Sequence, residues 1–352
     1  MPATTRFLAI CDGQFGPESS KTANAAIRYS PERVACVLDT ACPARTVQEV
    51  LGFGGEIPVV RTFADAMATQ PTALLIGIAP QGGRLPDTWR GWILEALAAG
   101  LDVWSGLHFF IGDDAEFAAA AKKSGATIHD LRRPPKNLPV STGRVRDVDA
   151  TVILTVGSDC NIGKMTTQLQ LRHALRARGE SVAFAATGQT GILVEGWGIG
   201  VDAVIADFIG GAAETLTLEG ATKGDIVLVE GQGSIIHPGY SGVTYGLIHG
   251  SLPHAFILCH QPSRTTVGNN EWVKIPPLKE LVALHEAIMA PLRPAKVIGI
   301  CLNTYDLSDD EARAAIARAQ AETGLPATDP VRFDPAPVAD AVVAFHRARR
   351  GR

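Results

Sequence analysis

Residues Gly157–Thr167 read GSDCNIGKMTT, and the interpretation of this stretch decides the fold. It directly follows the apolar run Thr151–Val156 and opens an amphipathic segment, Gln168–Arg178. Strand, glycine-bounded loop, lysine and helix in that order form a phosphate cradle. Backbone N–H groups of the loop and helix N-terminus point at an anion, and Lys164 adds a mobile positive charge. The loop departs from the common P-loop pattern in spacing and in one side chain. Five residues separate Gly157 from Gly163, where about four are usual, and Met165 stands where a Ser or Thr would ordinarily hold Mg²⁺. The loop specifies phosphate; the departures separate phosphate binding from ATP hydrolysis.

At 352 residues the chain is long enough for two domains with separate cores. Its 46% hydrophobic and 19% charged residues are those of a globular protein rather than a disordered one. Net charge is −4 with no sustained Lys/Arg run, and Arg132, Arg133 and Lys136 sit among prolines as a solvated linker. Nucleic acid is therefore not an expected partner. The six cysteines (Cys11, Cys36, Cys42, Cys160, Cys259, Cys301) are scattered without a C-x-x-C pair, which suits a reducing compartment and argues against a structural zinc site. No basic, apolar, small-residue leader pattern opens the chain, and no apolar run reaches the roughly 18 residues of a membrane span. The expectation is a cytoplasmic enzyme acting on small molecules without membrane contact, and a homo-oligomer is compatible with it.

The first third alternates short strands (Phe7–Cys11, Val34–Leu38, Ala73–Ile78, Val103–Trp104) with helical patterns near Ser20–Tyr29, Phe63–Ala68, Trp89–Ala99 and Ala115–Lys123. That alternation predicts a parallel sheet covered by helices. Arg132–Ala150, rich in proline and polar residues, is the best domain boundary. Beyond it the alternation resumes with strands Thr151–Val156, Ser181–Ala186, Asp225–Glu230, Ala255–Cys259 and Lys296–Leu302, then a helix over Asp309–Thr323. Ser308 followed by Asp309, Asp310 and Glu311 has the acceptor and acids of a helix start.

In an open parallel sheet, ligands collect at the carboxyl ends of the strands. Five strand ends in the second half carry polar tips: Thr187, Gln189 and Thr190 after Ser181–Ala186; Asp207 and Glu214 after Val204–Ile205; Glu230–Gly242; His260–Thr265; and Asn303–Thr304. Each taken singly has a structural reading, as helix cap, turn or hydrogen-bonded core residue. The phosphate loop changes the weighing, because the same sheet edge turns these tips toward it. In P-loop nucleotidases an acid at the end of a neighbouring strand holds Mg²⁺, and Glu230, with Asp159, fits that position. The missing hydroxyl at Met165 removes one usual ligand, and Thr166 is turned by roughly 100° on the helix, so a metal is not expected. In the N-terminal half, Gly16–Lys21 followed by Thr22 reads either as a loosened phosphate loop or as a Ser-capped helix after a glycine turn. Ala79–Trp89 puts glycines and Arg84 at another strand end.

Taken together, GSDCNIGKMTT, ATGQTGILVEGWG, VDAVIADFIGGAAE, VEGQGSIIHPGYSGVTYGLIHGS, ILCHQPSRT and the early DGQFGPESSKTA resemble the DgcN-type D-glutamate N-acetyltransferase family over nearly the whole chain. The resemblance implies an α/β fold of two three-layer domains with mostly parallel sheets: a Rossmann-like domain over 1–138 and a P-loop NTPase-like domain over 139–352. It implies transfer of acetyl from acetyl-CoA to the amine of D-glutamate, with no metal required. On that basis Gly157, Ser158, Asp159, Cys160, Asn161, Gly163, Lys164, Met165, Thr166 and Asn303 are the expected coenzyme contacts. Glu230, His237 and His260 are the candidate bases for the substrate amine. Gln189, Thr190, Asp207, Gln232, Ser234 and Arg264, with Arg84 as a lesser candidate, are the expected substrate contacts. Arg264 would pair with a carboxylate, and amides around Gly231–Ser234 would face the oxyanion.

Two alternatives share the same loop. The GSDCNIGK loop and VEGQGS strand end also look like dethiobiotin synthetase, whose P-loop has the same five-residue spacing but a hydroxyl residue after the lysine. A ligase or kinase of that type would need Mg²⁺ and release ADP. A non-catalytic nucleotide or CoA sensor would bind without turnover. Met165 disfavours the first, and the crowded strand ends disfavour the second.

Overall fold

The computed structural model describes residues 4–17, 19–78 and 85–351. The chain forms two compact units, Met1–Pro134 with Gln189–Ala203 and Pro135–Gly188 with Val204–Arg352. In the first, strands β1 (Phe7–Ile10), β2 (Val34–Leu38), β3 (Val59–Val60), β4 (Ala73–Ile76), β5 (Asp102–Ser105) and β6 (Ile128–Asp130) form a sheet of order β3-β2-β1-β4-β5-β6. All its pairings are parallel. This is the strand order of dinucleotide-binding doubly wound folds. Every residue of β1, β2 and β4 is buried. Strands covered on both faces need such unbroken apolar runs rather than alternation.

The second unit repeats the logic with β7 (Thr151–Gly157), β8 (Val182–Ala185), β9 (Ile226–Val229), β10 (Ala255–His260), β13 (Lys296–Leu302) and β14 (Ala327–Thr328), in the order β14-β13-β10-β7-β9-β8. These pairings are also parallel. The chain runs from β7 out to β8 and back to β9 on one side, then crosses to β10 on the other. The order thus reverses around β7, and such a switch opens a crevice at the carboxyl ends of the strands. A short antiparallel hairpin, β11 (Thr266–Val267) with β12 (Asn270–Lys274), follows β10. Ser308 and Glu311 form a full capping box at the start of helix Asp309–Thr323, as the sequence pattern predicts. Helices Ala206–Ala221 and Ser241–Ser251 approach so closely that a Cβ on Gly250 would lie 2.1 Å from the Gly210 carbonyl oxygen.

Sequence and structure differ in several places. Val204–Ile205 is not a strand; it leads into helix Ala206–Ala221. The two-residue strands β3 and β14 lie below what an apolar run can signal. Gln189–Ala203, read from sequence with the second domain, packs within the first unit, where Leu193 joins the buried core of β1, β2 and β4. No helix among the described residues is long and apolar enough to cross a membrane.

Candidate functional site

The loop 158–163 leaves central strand β7 and enters helix Lys164–Ala177. Gly163 makes the entry with φ +98°, left-handed backbone that suits glycine, and no side chain caps the helix. The amides of the first turn are therefore left for an anion, where the helix dipole also favours negative charge. Lys164 is buried and folds back so that Nζ donates to the Asp159 carbonyl at 2.7 Å. Burial, its largest influence, lowers its pKa from the ordinary 10.5, partly opposed by neighbouring Cys160, Cys259 and Asp159. A buried ammonium with one carbonyl partner is poised to meet a phosphate.

Asp159, also buried, is the internal anchor of the loop. Its Oδ1 accepts from the Cys160 amide (2.6 Å), and its Oδ2 accepts from Arg264 Nη1 (2.8 Å) and the Gly268 amide (2.9 Å). Arg264 Nη1 donates further to the Cys160 carbonyl at 2.9 Å. Arg264 thus builds the wall of the phosphate loop, and that Nη1 is not available as half of a carboxylate clamp. Ser158 Oγ lies 2.9 Å from His260 Nδ1. Burial pushes the pKa of His260 down to about 4, so the ring is neutral at pH 7 and weakly basic. Asn303, at the end of β13, lies beside Gly163, with its Cβ 3.9 Å from where a Gly163 Cβ would stand.

Gly231 is the second residue past the end of β9. A Cβ there would fall 1.8 Å from the Thr155 carbonyl oxygen and 3.1 Å from Lys164 Cδ, so only glycine fits. Its amide donates to Thr155 Oγ1 at 2.9 Å, which removes it from the expected oxyanion donors. Glu230 is buried, and its Oε2 accepts from the amides of Thr187 (2.8 Å) and Gly188 (3.1 Å). Thr187 Oγ1 donates to the Glu230 carbonyl at 2.8 Å, and Gln232 Nε2 donates to Thr187 Oγ1 at 3.2 Å. Glu230 therefore clasps the backbone at the point where the chain leaves the second unit. His237 Nδ1 accepts from the Gly239 amide at 3.0 Å, which puts the proton of the neutral ring on Nε2. The side-chain ligand atoms of Asp159, Cys160 and His237 lie within 4.8 Å of one another, yet the hydrogen bonds just described tie Asp159 and His237 into the loop and its surroundings.

Glu230, His237, His260, Arg264, Asn303 and the loop residues all belong to the second unit. Ser234 is buried, and its carbonyl accepts from the His237 amide at 3.1 Å. Met165 and Thr166 are half-buried on the first helical turn. Asp207 is exposed in the first turn of helix Ala206–Ala221, not at the end of a strand. Gln189 and Thr190 open helix Gln189–Glu195 and belong to the first unit, where Thr190 Oγ1 lies 3.4 Å from Thr22 Oγ1. Arg84 lies outside the described residues. In the N-terminal loop, the amides of Gly13 and Phe15 each donate to the Asp39 carboxylate at 3.0 Å, and Ser20 Oγ donates to the Gly16 carbonyl at 2.8 Å without capping the helix. Asp39, at the end of β2, answers amides that a phosphate would otherwise meet.

Comparisons with known proteins agree with this architecture. A model of the DUF1611 C-terminal P-loop domain matches residues 139–339, and one of the DUF1611 N-terminal Rossmann-like domain matches residues 40–134. Both are described as domains of unknown function. The chain is 41% identical to a D-glutamate N-acetyltransferase of Tritonibacter scottomollicae, over 80% of this chain and 84% of that one. It is 37% identical to a D-glutamate N-acetyltransferase of a Pseudoalteromonas species, over 77% and 81%. The crystal structure of a DUF1611 family protein from Anabaena variabilis matches with a TM-score of 0.91 and 39% identity, covering 97% of this chain and all of that one.

Proposed function

The chain belongs to the DUF1611 family, and from that premise we propose that it transfers an acetyl group from acetyl-CoA to the amine of D-glutamate, giving N-acetyl-D-glutamate and free CoA. The observation that carries the reading is an uncapped, lysine-bearing phosphate loop in a chain that aligns with two D-glutamate N-acetyltransferases over most of its length. The loop suits the coenzyme's phosphates: helix amides and Lys164 are donors, and a phosphate needs donors only. Met165 offers no hydroxyl to Mg²⁺, which supports a grip on phosphate over phosphoryl transfer.

The reaction needs the substrate ammonium to lose one proton before the amine attacks the thioester carbonyl; the tetrahedral intermediate then loses a second proton from nitrogen as the C–S bond breaks, and the expelled CoA thiolate takes up a proton to leave as the free thiol. Among the sequence candidates, His260 is too weakly basic to hold that proton at neutral pH, and His237 has its Nδ1 lone pair engaged. Glu230 is best placed as a positioning residue that fixes Thr187 and Gly188. A D-amino-acid role in the cell follows from the substrate. The test is product identification: acetyl-CoA with D-glutamate should yield N-acetyl-D-glutamate by mass spectrometry and chiral chromatography, with L-glutamate giving far less. Absence of product with D-glutamate would remove the proposal.

A further inference from the structure

The phosphate loop carries an acid of its own. Asp159, whose side chain is 1% exposed, sits between Ser158 and Cys160 in a loop whose ligand would bring further negative charge. One chain segment answers its Oδ2 twice, with Arg264 Nη1 at 2.8 Å and the Gly268 amide at 2.9 Å. Arg264 closes the turn after β10, where its amide donates to the Gln261 carbonyl at 3.0 Å. Gly268 stands in the turn between β11 and β12, so the hairpin holds the loop from both its root and its tip. The hairpin is itself anchored in the same unit: Val267 is buried, and the Ile275 amide donates to the Thr265 carbonyl at 2.9 Å. Arg264 Nη1 also reaches the Cys160 carbonyl, so one guanidinium nitrogen spans two adjacent loop residues. Burial has the largest influence on the pKa of Lys164, but Asp159 raises it and Arg264 lowers it, so both charges act at the lysine ammonium.

We propose that Arg264 and the β11–β12 hairpin serve the coenzyme rather than the amino-acid substrate, by cancelling the Asp159 charge and fixing the loop in its phosphate-accepting shape. The proposal rests on the coenzyme reading of the loop and deepens it by naming the residue that makes the loop hospitable to an anion. A buried carboxylate left without its cation is destabilising in itself. In a phosphate loop it does further harm, because it repels the ligand at a range where a buried charge is little screened. It also competes with the phosphate for Lys164, whose Nζ already lies 2.7 Å from the carbonyl of the same residue. An apolar side chain at position 159 would avoid the charge but accept no hydrogen bond, leaving the Cys160 and Gly268 amides without the acceptor they now have. The carboxylate thus shapes the loop, and Arg264 removes its charge. Arg264 is a positioning residue that acts through Asp159.

The test measures CoA affinity by calorimetry, and KM values in D-glutamate-dependent thiol release, with thermal stability as the folding control. It compares full-length wild type, Arg264→Met and the double variant Asp159→Asn/Arg264→Met. Arg264→Met should weaken CoA binding by about tenfold or more and raise the KM for acetyl-CoA alongside, leaving the KM for D-glutamate unchanged. The double variant, which removes both charges of the pair, should recover an affinity within about threefold of wild type. That recovery is the discriminating readout, since a guanidinium that touched the phosphate itself could not be replaced by removing an acid. It can be read even where Arg264→Met alone fails to fold. A double variant that binds CoA about tenfold or more weakly than wild type would overturn the assignment while leaving the acetyltransferase reading standing. So would an Arg264→Met enzyme whose KM rises for D-glutamate alone. A wild type that binds no CoA would overturn the coenzyme reading and this proposal with it.

Discussion

Lys164→Ala separates what the lysine does for the fold from what it does for the ligand. In the structure its ammonium is buried and has one hydrogen bond among the described residues, to the Asp159 carbonyl at 2.7 Å. Removing it loses that bond but also removes a desolvated charge, so the two effects largely offset and stability should change by no more than about 1 kcal/mol. Binding has no such offset. A charged hydrogen bond to phosphate is worth about 1.5–3 kcal/mol, which is about a 10- to 150-fold weaker Kd for CoA. Isothermal titration with CoA and urea denaturation read the two quantities on one preparation. The pH dependence has a definite sign. Because burial lowers the pKa of Lys164 from the ordinary 10.5, the unfolded chain holds this proton where the folded one has lost it, so stability gains as pH rises through that window. CoA affinity falls over the same window as the ammonium neutralises. A Kd within about twofold of wild type, with the fold intact, would refute the reasoning.

Three further outcomes follow from individual contacts. Gly231→Ala forces a Cβ to within 1.8 Å of the Thr155 carbonyl oxygen and should destabilise by about 1–3 kcal/mol or more, read as a lower denaturation midpoint. Glu230→Ala leaves the Thr187 and Gly188 amides without their acceptor and should cost about 1–3 kcal/mol or more, while Glu230→Gln, which keeps an acceptor, should restore most of it in the same denaturation assay. His260, with its pKa pushed down to about 4, is neutral in the folded chain where the unfolded chain binds a proton. Stability should therefore fall as pH drops from about 6.5 to 4, by up to about 3 kcal/mol from this residue, and His260→Gln should flatten that part of the pH–stability curve.

The phosphate loop is legible because it is local: strand, glycines, lysine and helix are contiguous, and the apolar runs before Glu230, His260 and Asn303 place these residues at the carboxyl ends of strands, as in the structure. What the sequence hid is non-local. Nothing in GQTGILVEGWGIGVDA announces that the chain leaves one unit to lie along the sheet edge of the other, because that depends on Gln189, Thr190 and Asp202 meeting Gly106, Thr22 and Arg132, each more than fifty residues away. Arg264 was a plausible carboxylate clamp until the structure gave it Asp159 as a partner, a pairing across 105 residues.

The central claim is acetyl transfer with the loop as a coenzyme grip, and free-thiol release from acetyl-CoA tests it most directly, in EDTA and without ATP, with D-glutamate, L-glutamate and D-aspartate in parallel. The account predicts thiol release that requires D-glutamate and survives EDTA. No release under those conditions, with ADP formed once Mg²⁺-ATP is supplied, would contradict it and place the chain with the ATP-dependent ligases and kinases.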